Sequence, residues 1–234
     1  MGKVLFMRKG ETHTVPSNVP RNFVDATWEQ IIEACQTNQV PDTWEVGDQK
    51  AMTINGTDYL IDIIGKNHDV YSDGSGYAPL TFQMHDCYAT DYSMNDSSTN
   101  SGGWGGCTMR STRMPSILAL MPSEVQSGIK EVNKLTSAGN KSATINTSAD
   151  KLFLLAEIEI HGRTYNAKSG EGTQYAYYSA GNSKIKYKNG NARAWWSRSP
   201  VGGNNRGFCY INTSGTYSTY DANNSQSIAF AFCF

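Results

Sequence analysis

The chain has 234 residues, with 20 Lys and Arg against 21 Asp and Glu and a formal charge of -1. That balance offers no net basic face to a phosphate backbone, so nucleic acid is not the expected partner. No apolar run reaches the roughly twenty residues of a membrane span, and Met1 to Gly10 lacks the apolar stretch of a secretory signal, so a soluble protein without membrane insertion is expected.

In chain order, Lys3–Met7 reads as a short apolar strand, followed by a loop closed by Pro16 and Pro20. Residues 1–24 are too short for a core of their own and form an expected attachment segment, leaving residues 25–234 as the main domain. Thr27-Trp28-Glu29-Gln30 matches a capping box, and Trp28, Ile31, Ile32 and Cys35 follow helical spacing, which predicts one amphipathic helix from about residue 27 to 38. Asn55-Gly56 between Lys50–Ile54 and Thr57–Ile64 predicts a tight hairpin, because both residues tolerate positive φ. A further strand is predicted over Leu80–Met84. Residues 91–107, rich in Ser, Asn and Gly, read as an ordered surface loop anchored by Trp104.

From Met109 to Leu120 apolar residues recur at helical spacing, and Pro115 is expected to end or kink that helix. Ser123 starts another short turn, and Ile129–Leu135 is expected to rejoin the sheet. Lys151–Ile160 fits a core strand or a core helix, which periodicity does not separate. Lys184–Lys188 reads as a solvated strand edge, where lysines discourage edge pairing. Trp195–Pro200 and Ile228–Phe234 read as buried strands.

Residues with chemistry to offer are weakly organised. Of the four histidines, His13, His68, His85 and His161, none stands in an HExxH or HxH spacing. His85-Asp86-Cys87 would point its ligands to opposite faces of a strand, so no metal is expected there. Asp69–Gly74 is half of a calcium loop without the twelfth-position acid, and reads as a plain polar turn. Glu157 and Glu159 share one face of an expected strand and fit solvent exposure as readily as an acid/base pair. The five cysteines have no CxxC and no local catalytic signature, and read as buried thiols. For Cys209 and Cys233, a disulfide and two adjacent free thiols both fit. No Walker loop or GxGxxG is present. The reading is of a non-enzymatic chain without cofactor or metal; hydrolysis of cell-wall polymers is the minor alternative.

Between Trp195–Pro200 and Ile228–Phe234 lies a span of Asn, Ser, Thr, Tyr and Gly, in which Arg206 and Asp221 are the charged residues; Arg198 belongs to the first flank. Tyrosine with small amides and hydroxyls is the composition of an adaptable contact surface. This region, Trp195–Pro200 with Phe208–Asn212, Ser214-Gly215 and Ile228–Cys233, resembles the C-terminal signature of a family of uncharacterised domains found in phage structural proteins and gut-bacterial surface proteins. Trp44–Asp48, Ile63–Gly65 and Gly102–Trp104 fit the same pattern, so the resemblance covers roughly residues 25–234. The start, Val4–Gly10 with His13-Thr14, is similar to the beginnings of phage tail proteins.

The organisation also resembles the variable proteins of diversity-generating retroelements. That resemblance implies an α+β, C-type-lectin-like fold of mixed antiparallel sheets, one or two helices and long ordered loops, with mutable residues near the C-terminus. The triplets of calcium-dependent lectins, Glu-Pro-Asn, Gln-Pro-Asp and Trp-Asn-Asp, are absent, which speaks against calcium-mediated sugar binding. The expected contact set is Asn204, Asn205, Arg206, Tyr210, Asn212, Tyr217, Tyr220, Asp221, Asn223 and Asn224. The function implied is a phage tail-tip or fibre adhesin located in the virion, made in the bacterial cytoplasm. It would bind a bacterial surface receptor, glycan or protein, pack against other virion proteins and form a homo-oligomer, such as a trimer. The alternative is a structural virion component, a capsid decoration or baseplate protein, without receptor binding.

Overall fold

The structure, a computed structural model, describes residues 19–234; the expected strand Lys3–Met7 and most of the attachment segment lie outside the described residues. At Thr27 the capping box forms. Thr27 Oγ1 accepts from the Gln30 amide at 3.2 Å, and Gln30 Oε1 accepts from the Thr27 amide at 2.9 Å, pairing backbone donors that a helix start leaves unsatisfied. Helix α1 (Trp28–Gln36) buries Trp28, Ile31, Ile32 and Cys35, the side that a 3.6-residue period brings together.

Strands β1 (Gln49–Ile54) and β2 (Thr57–Lys66) pair antiparallel, from Gln49 opposite Asp62 to Ile54 opposite Thr57. The turn between them closes because Asn55 and Gly56 sit at φ 48° and 76°, the left-handed values a two-residue hairpin of this twist requires. Strand β3 (Leu80–Met84) is buried along its whole length. The loop after it is ordered around Trp104, which is fully buried and donates its indole N–H to Asp150 at 3.0 Å.

Pro115 does not stop the helix predicted from Met109. Met109–Arg113 form a widened turn in which the Met114 N–H bonds the Met109 carbonyl, and α2 (Met114–Leu118) then carries Pro115 in its first turn, where a missing N–H costs little. A short α3 (Ser123–Gly128) follows. Of the expected Ile129–Leu135 strand, Lys130 bridges Cys233 of the main sheet, whereas β4 (Val132–Ser137) forms a separate ribbon with β5 (Ile145–Asp150). The ambiguous Lys151–Ile160 segment is both things, β6 (Leu152–Phe153) and then α4 (Glu157–His161).

After α5 (Ala176–Ser179) come the ribbon of β7 (Lys186–Lys188) and β8 (Asn191–Arg193) and a three-stranded sheet of β9 (Trp195–Pro200), β10 (Gly207–Ile211) and β11 (Tyr217–Asp221), in the order β11-β10-β9. The C-terminal β12 (Ala231–Cys233) is inserted between β3 and β6, so the main sheet runs β1-β2-β3-β12-β6. This insertion occupies the place beside β3. Phe82 of β3 stacks on Phe232 of β12 with centroids 5.4 Å apart, and on Phe23 at 6.0 Å, so β12 and the segment before α1 share one core.

The class is α+β, with small antiparallel sheets, few helices and long ordered loops, consistent with a C-type-lectin-like arrangement; the described helices are short and more numerous than the one or two expected. No helix among the described residues is long and apolar enough to cross a membrane. A further sequence expectation is corrected. Lys186 is not a solvated edge residue, because its ammonium is buried, donates to the Met84 and His85 carbonyls at 2.5 and 2.9 Å and lies over the Trp195 ring. The Cys209–Cys233 alternatives resolve to free thiols, as all five cysteines are buried and unpaired.

Candidate functional site

The β9–β10–β11 sheet carries the expected contact residues, and its pleat sorts them. Tyr210 stands opposite Trp196 on one side and Ser218 on the other, which puts Trp196, Tyr210 and Tyr220 on one face. Their rings lie within 6.1 to 6.5 Å of one another. Trp196 is buried and donates its indole N–H to the Tyr92 carbonyl at 2.9 Å, whereas Tyr220 is 45% exposed. Beside Tyr220, a groove of about 260 Å³ is lined by Asn204, Gly207, Thr219, Asp221 and Asn224. Arg206 pairs with Asp221 at its rim, and the guanidinium's hydrogen bond holds the Asp221 carboxyl below its ordinary range.

Tyr217 is three residues from Tyr220 and therefore on the opposite face. Its ring stacks on Tyr165 at 3.5 Å, with His161 edge-on to both. Asn212 is at the turn end of the hairpin. Its Oδ1 accepts from the Ser214 and Thr216 amides at 2.9 and 3.1 Å, while its Nδ2 donates to Thr216 Oγ1 at 2.7 Å. Asn204 Oδ1 likewise accepts from the Arg206 and Gly207 amides. Asn205 and Asn223 are exposed, and Asn224 Nδ2 donates to the Asp221 carbonyl at 3.4 Å. The groove thus gathers Asn204, Tyr220, Asp221 and Asn224 with Arg206 and Tyr210 nearby; Tyr217 and Asn212 are elsewhere.

The loop between β9 and β10 is held by a residue that the sequence reading did not single out. Asn100 is fully buried; its Nδ2 donates to the carbonyls of Asn204 and Gly207 at 3.1 and 2.8 Å, and its Oδ1 accepts from the Asn140 amide at 2.8 Å. Gly139 allows this contact: a Cβ there would come within 1.7 Å of the Asn100 carbonyl oxygen.

Arg198 of β9 stands at the centre of a buried charge cluster. The Arg198 guanidinium, wholly inaccessible, binds the Glu159 carboxylate with both terminal nitrogens at 2.5 and 2.8 Å and donates further to Thr136 Oγ1 and to the carbonyls of Leu135, Leu154 and Glu171. Lys134 bridges Glu159 and Asp69 at 2.9 and 2.6 Å. Burial is the largest influence on both carboxyls and pushes them up. For Glu159 the charges of Arg198 and Lys134 outweigh it and the net shift is down; for Asp69 the Lys134 charge does the same, to about 2. Glu171, bound to the Ser137 amide and the Ser199 hydroxyl, has less compensation, and burial raises it to about 7.

These contacts correct two readings. Glu157 and Glu159 are neither solvent-exposed nor a free acid/base pair; they are buried on α4, and Glu157 accepts from the Tyr165, Asn166 and Ala167 amides. Asp69 is no plain turn residue, since the turn begins after it. His85 pairs with Asp62 at 2.9 Å, a hydrogen bond that raises its pKa. Among the described residues, no group of three or more His, Cys, Asp or Glu could hold a metal ion. The cluster is closed to solvent and locks β4, α4 and β9 together.

An α+β scaffold with a sealed ionic core and an exposed aromatic face defines the class. Residues 80–233 match the model of a domain of unknown function, DUF6273, and the chain belongs to that family. The matched segment runs from β3 through β12 and includes Arg198 and the whole β10–β11 hairpin. No curated protein matches the chain, and no solved structure matches it.

Proposed function

We propose that the chain is a recognition module, a phage tail-tip or fibre adhesin, that engages a bacterial surface ligand with the face of Trp196, Tyr210 and Tyr220. The observation that carries this reading is Tyr220, nearly half exposed on a rigid aromatic support beside a polar groove with an ion pair at its rim. Aromatic anchors of this kind carry most of the energy in protein interfaces. The Asn100 bonds hold the neighbouring loop in place, so little ordering entropy would oppose binding. The virion assignment is supported by the likeness of Val4–Gly10 to phage tail proteins and of the C-terminal third to retroelement-diversified proteins. Encoding DNA with a neighbouring reverse transcriptase and an adenine-differing copy of the 3′ end would establish the latter.

The test is adsorption of virions carrying Tyr220→Ala or Asn224→Ala. Tyr220→Ala is expected to weaken adsorption at least about tenfold, the equivalent of 1.4 kcal/mol. Unchanged adsorption with normal assembly removes the adhesin reading. The second reading, a structural virion component, is favoured by the inward use of Asn204 and Asn212 and by the Tyr217–Tyr165 stack; it expects unchanged adsorption and impaired assembly.

A further inference from the structure

Where the C-terminal end of α1 meets the loop joining β2 to β3, an open cleft of about 610 Å³ is present, within the roughly 300–1,000 Å³ range of small-molecule sites. A smaller depression of about 250 Å³ shares Asn38, Asn67 and Pro79 with it. The cleft is rigidly built. Tyr71 donates its hydroxyl to the Phe234 carbonyl at 2.5 Å, Tyr71 N–H bonds the Gly76 carbonyl at 2.9 Å, and Val70 bridges Tyr77. Ser72 N–H reaches the Glu131 carbonyl at 2.9 Å, tying the loop to the segment after α3.

Tyr71 and Ser75 are engaged in bonds of the loop itself, but other polar groups of the lining are unengaged among the described residues. The side chains of Gln36, Asn38, Asn67, Tyr77 and Lys130 all line the cleft, and none makes a hydrogen bond or ion pair with another described residue. Tyr77 is 58% exposed. Each planar amide offers two donors and an acceptor on a short stem, which suits vicinal hydroxyls that both give and take hydrogen bonds. An exposed tyrosine ring suits the C–H face of a pyranose. A phosphate ligand fits poorly, because the α1 end in the cleft is the C-terminal one, which carries negative partial charge, and Lys130 is the cation lining the cleft.

We propose that this cleft is a saccharide site for one or two sugar rings, with Tyr77 as the stacking platform and Gln36, Asn38, Asn67 and Lys130 as hydrogen-bonding groups. It is separate from the hairpin face. Apart from Lys130, these residues precede the segment that matches the family, 80–233, so the site belongs to the part of the chain outside that match.

Asn38 and Asn67 have φ 54° and 50°, a region that asparagine tolerates better than alanine, so substitutions there would mix strain with lost contacts. The experiment therefore uses Tyr77→Ala and Gln36→Ala, with melting curves to verify folding. Saturation-transfer NMR is run on the full chain with maltose, lactose, cellobiose and diacetylchitobiose. At least one is expected to bind, with Tyr77→Ala weakening it about tenfold, Gln36→Ala about threefold, and Tyr220→Ala leaving it unchanged. Absence of binding by all four sugars, insensitivity to both cleft variants, or loss in Tyr220→Ala overturns the proposal. The adsorption assay reads Tyr220 independently, so either site can fail without the other.

Discussion

The hairpin face and the cleft are both rich in asparagine, yet they use it in opposite ways. At the hairpin, Asn204 and Asn212 turn their amides inward to cap backbone turns. At the cleft, the amides of Asn38, Asn67 and Gln36 make no hydrogen bond to another described residue. Polar composition alone therefore does not locate a contact surface; what matters is where the hydrogen-bonding capacity is already engaged. What the hairpin offers outward is mainly Tyr220 and its ion pair, while the cleft offers amides.

The hardest way to break this contrast is through the foundation of the hairpin. Arg198→Met leaves Glu159 buried with Lys134 as its remaining cation, and a broken buried pair costs about 3–5 kcal/mol. A fall in melting temperature on the order of 10 °C is expected for a chain of this size, measured by calorimetry. A change under about 1 kcal/mol would mean the cluster is dispensable.

Glu171 gives the next effect, through pH. Its folded pKa is raised from 4.5 to about 7, so the folded state holds a proton that the unfolded chain releases. Its contribution to stability is complete below about 4.5 and is lost as pH rises through about 7, amounting to on the order of 3 kcal/mol. Glu171→Gln should remove that decline, seen as a flatter stability profile from pH 5 to 7. Asp69, held at about 2, acts with the opposite sign, its contribution fading as pH falls from about 4 towards 2.

The smallest effect sharpens the contrast directly. Asn212→Ala loses a cap and should cost about 1 kcal/mol, whereas Gln36→Ala, an exposed amide with no partner among the described residues, should stay within about 0.5 kcal/mol. Equal costs in denaturant titration would erase the distinction between the two regions.

Local features were legible from the chain alone. Thr27 and Gln30 cap a helix across three residues, Asn55-Gly56 turns a hairpin, and the segments Leu80–Met84 and Trp195–Pro200 are the strands expected of them. Each depends on steric and hydrogen-bonding rules that act within a few positions. The contact set was legible as a composition, but not its division between two faces, which follows from a pleat and register that only strand pairing sets.

Tertiary structure decided what depends on distant partners. Lys134 meets Asp69 across 65 residues and Arg198 meets Glu159 across 39, so nothing near any of them announced a buried charge. Lys186 looked like an edge lysine until the carbonyls of Met84 and His85, about a hundred residues earlier, came to its ammonium. The cleft has the same origin. Its lining comes from the end of α1, the loop before β3 and Lys130, segments brought together because β12 closes the sheet against β3 and the Tyr71 hydroxyl fastens that loop to the last residue of the chain.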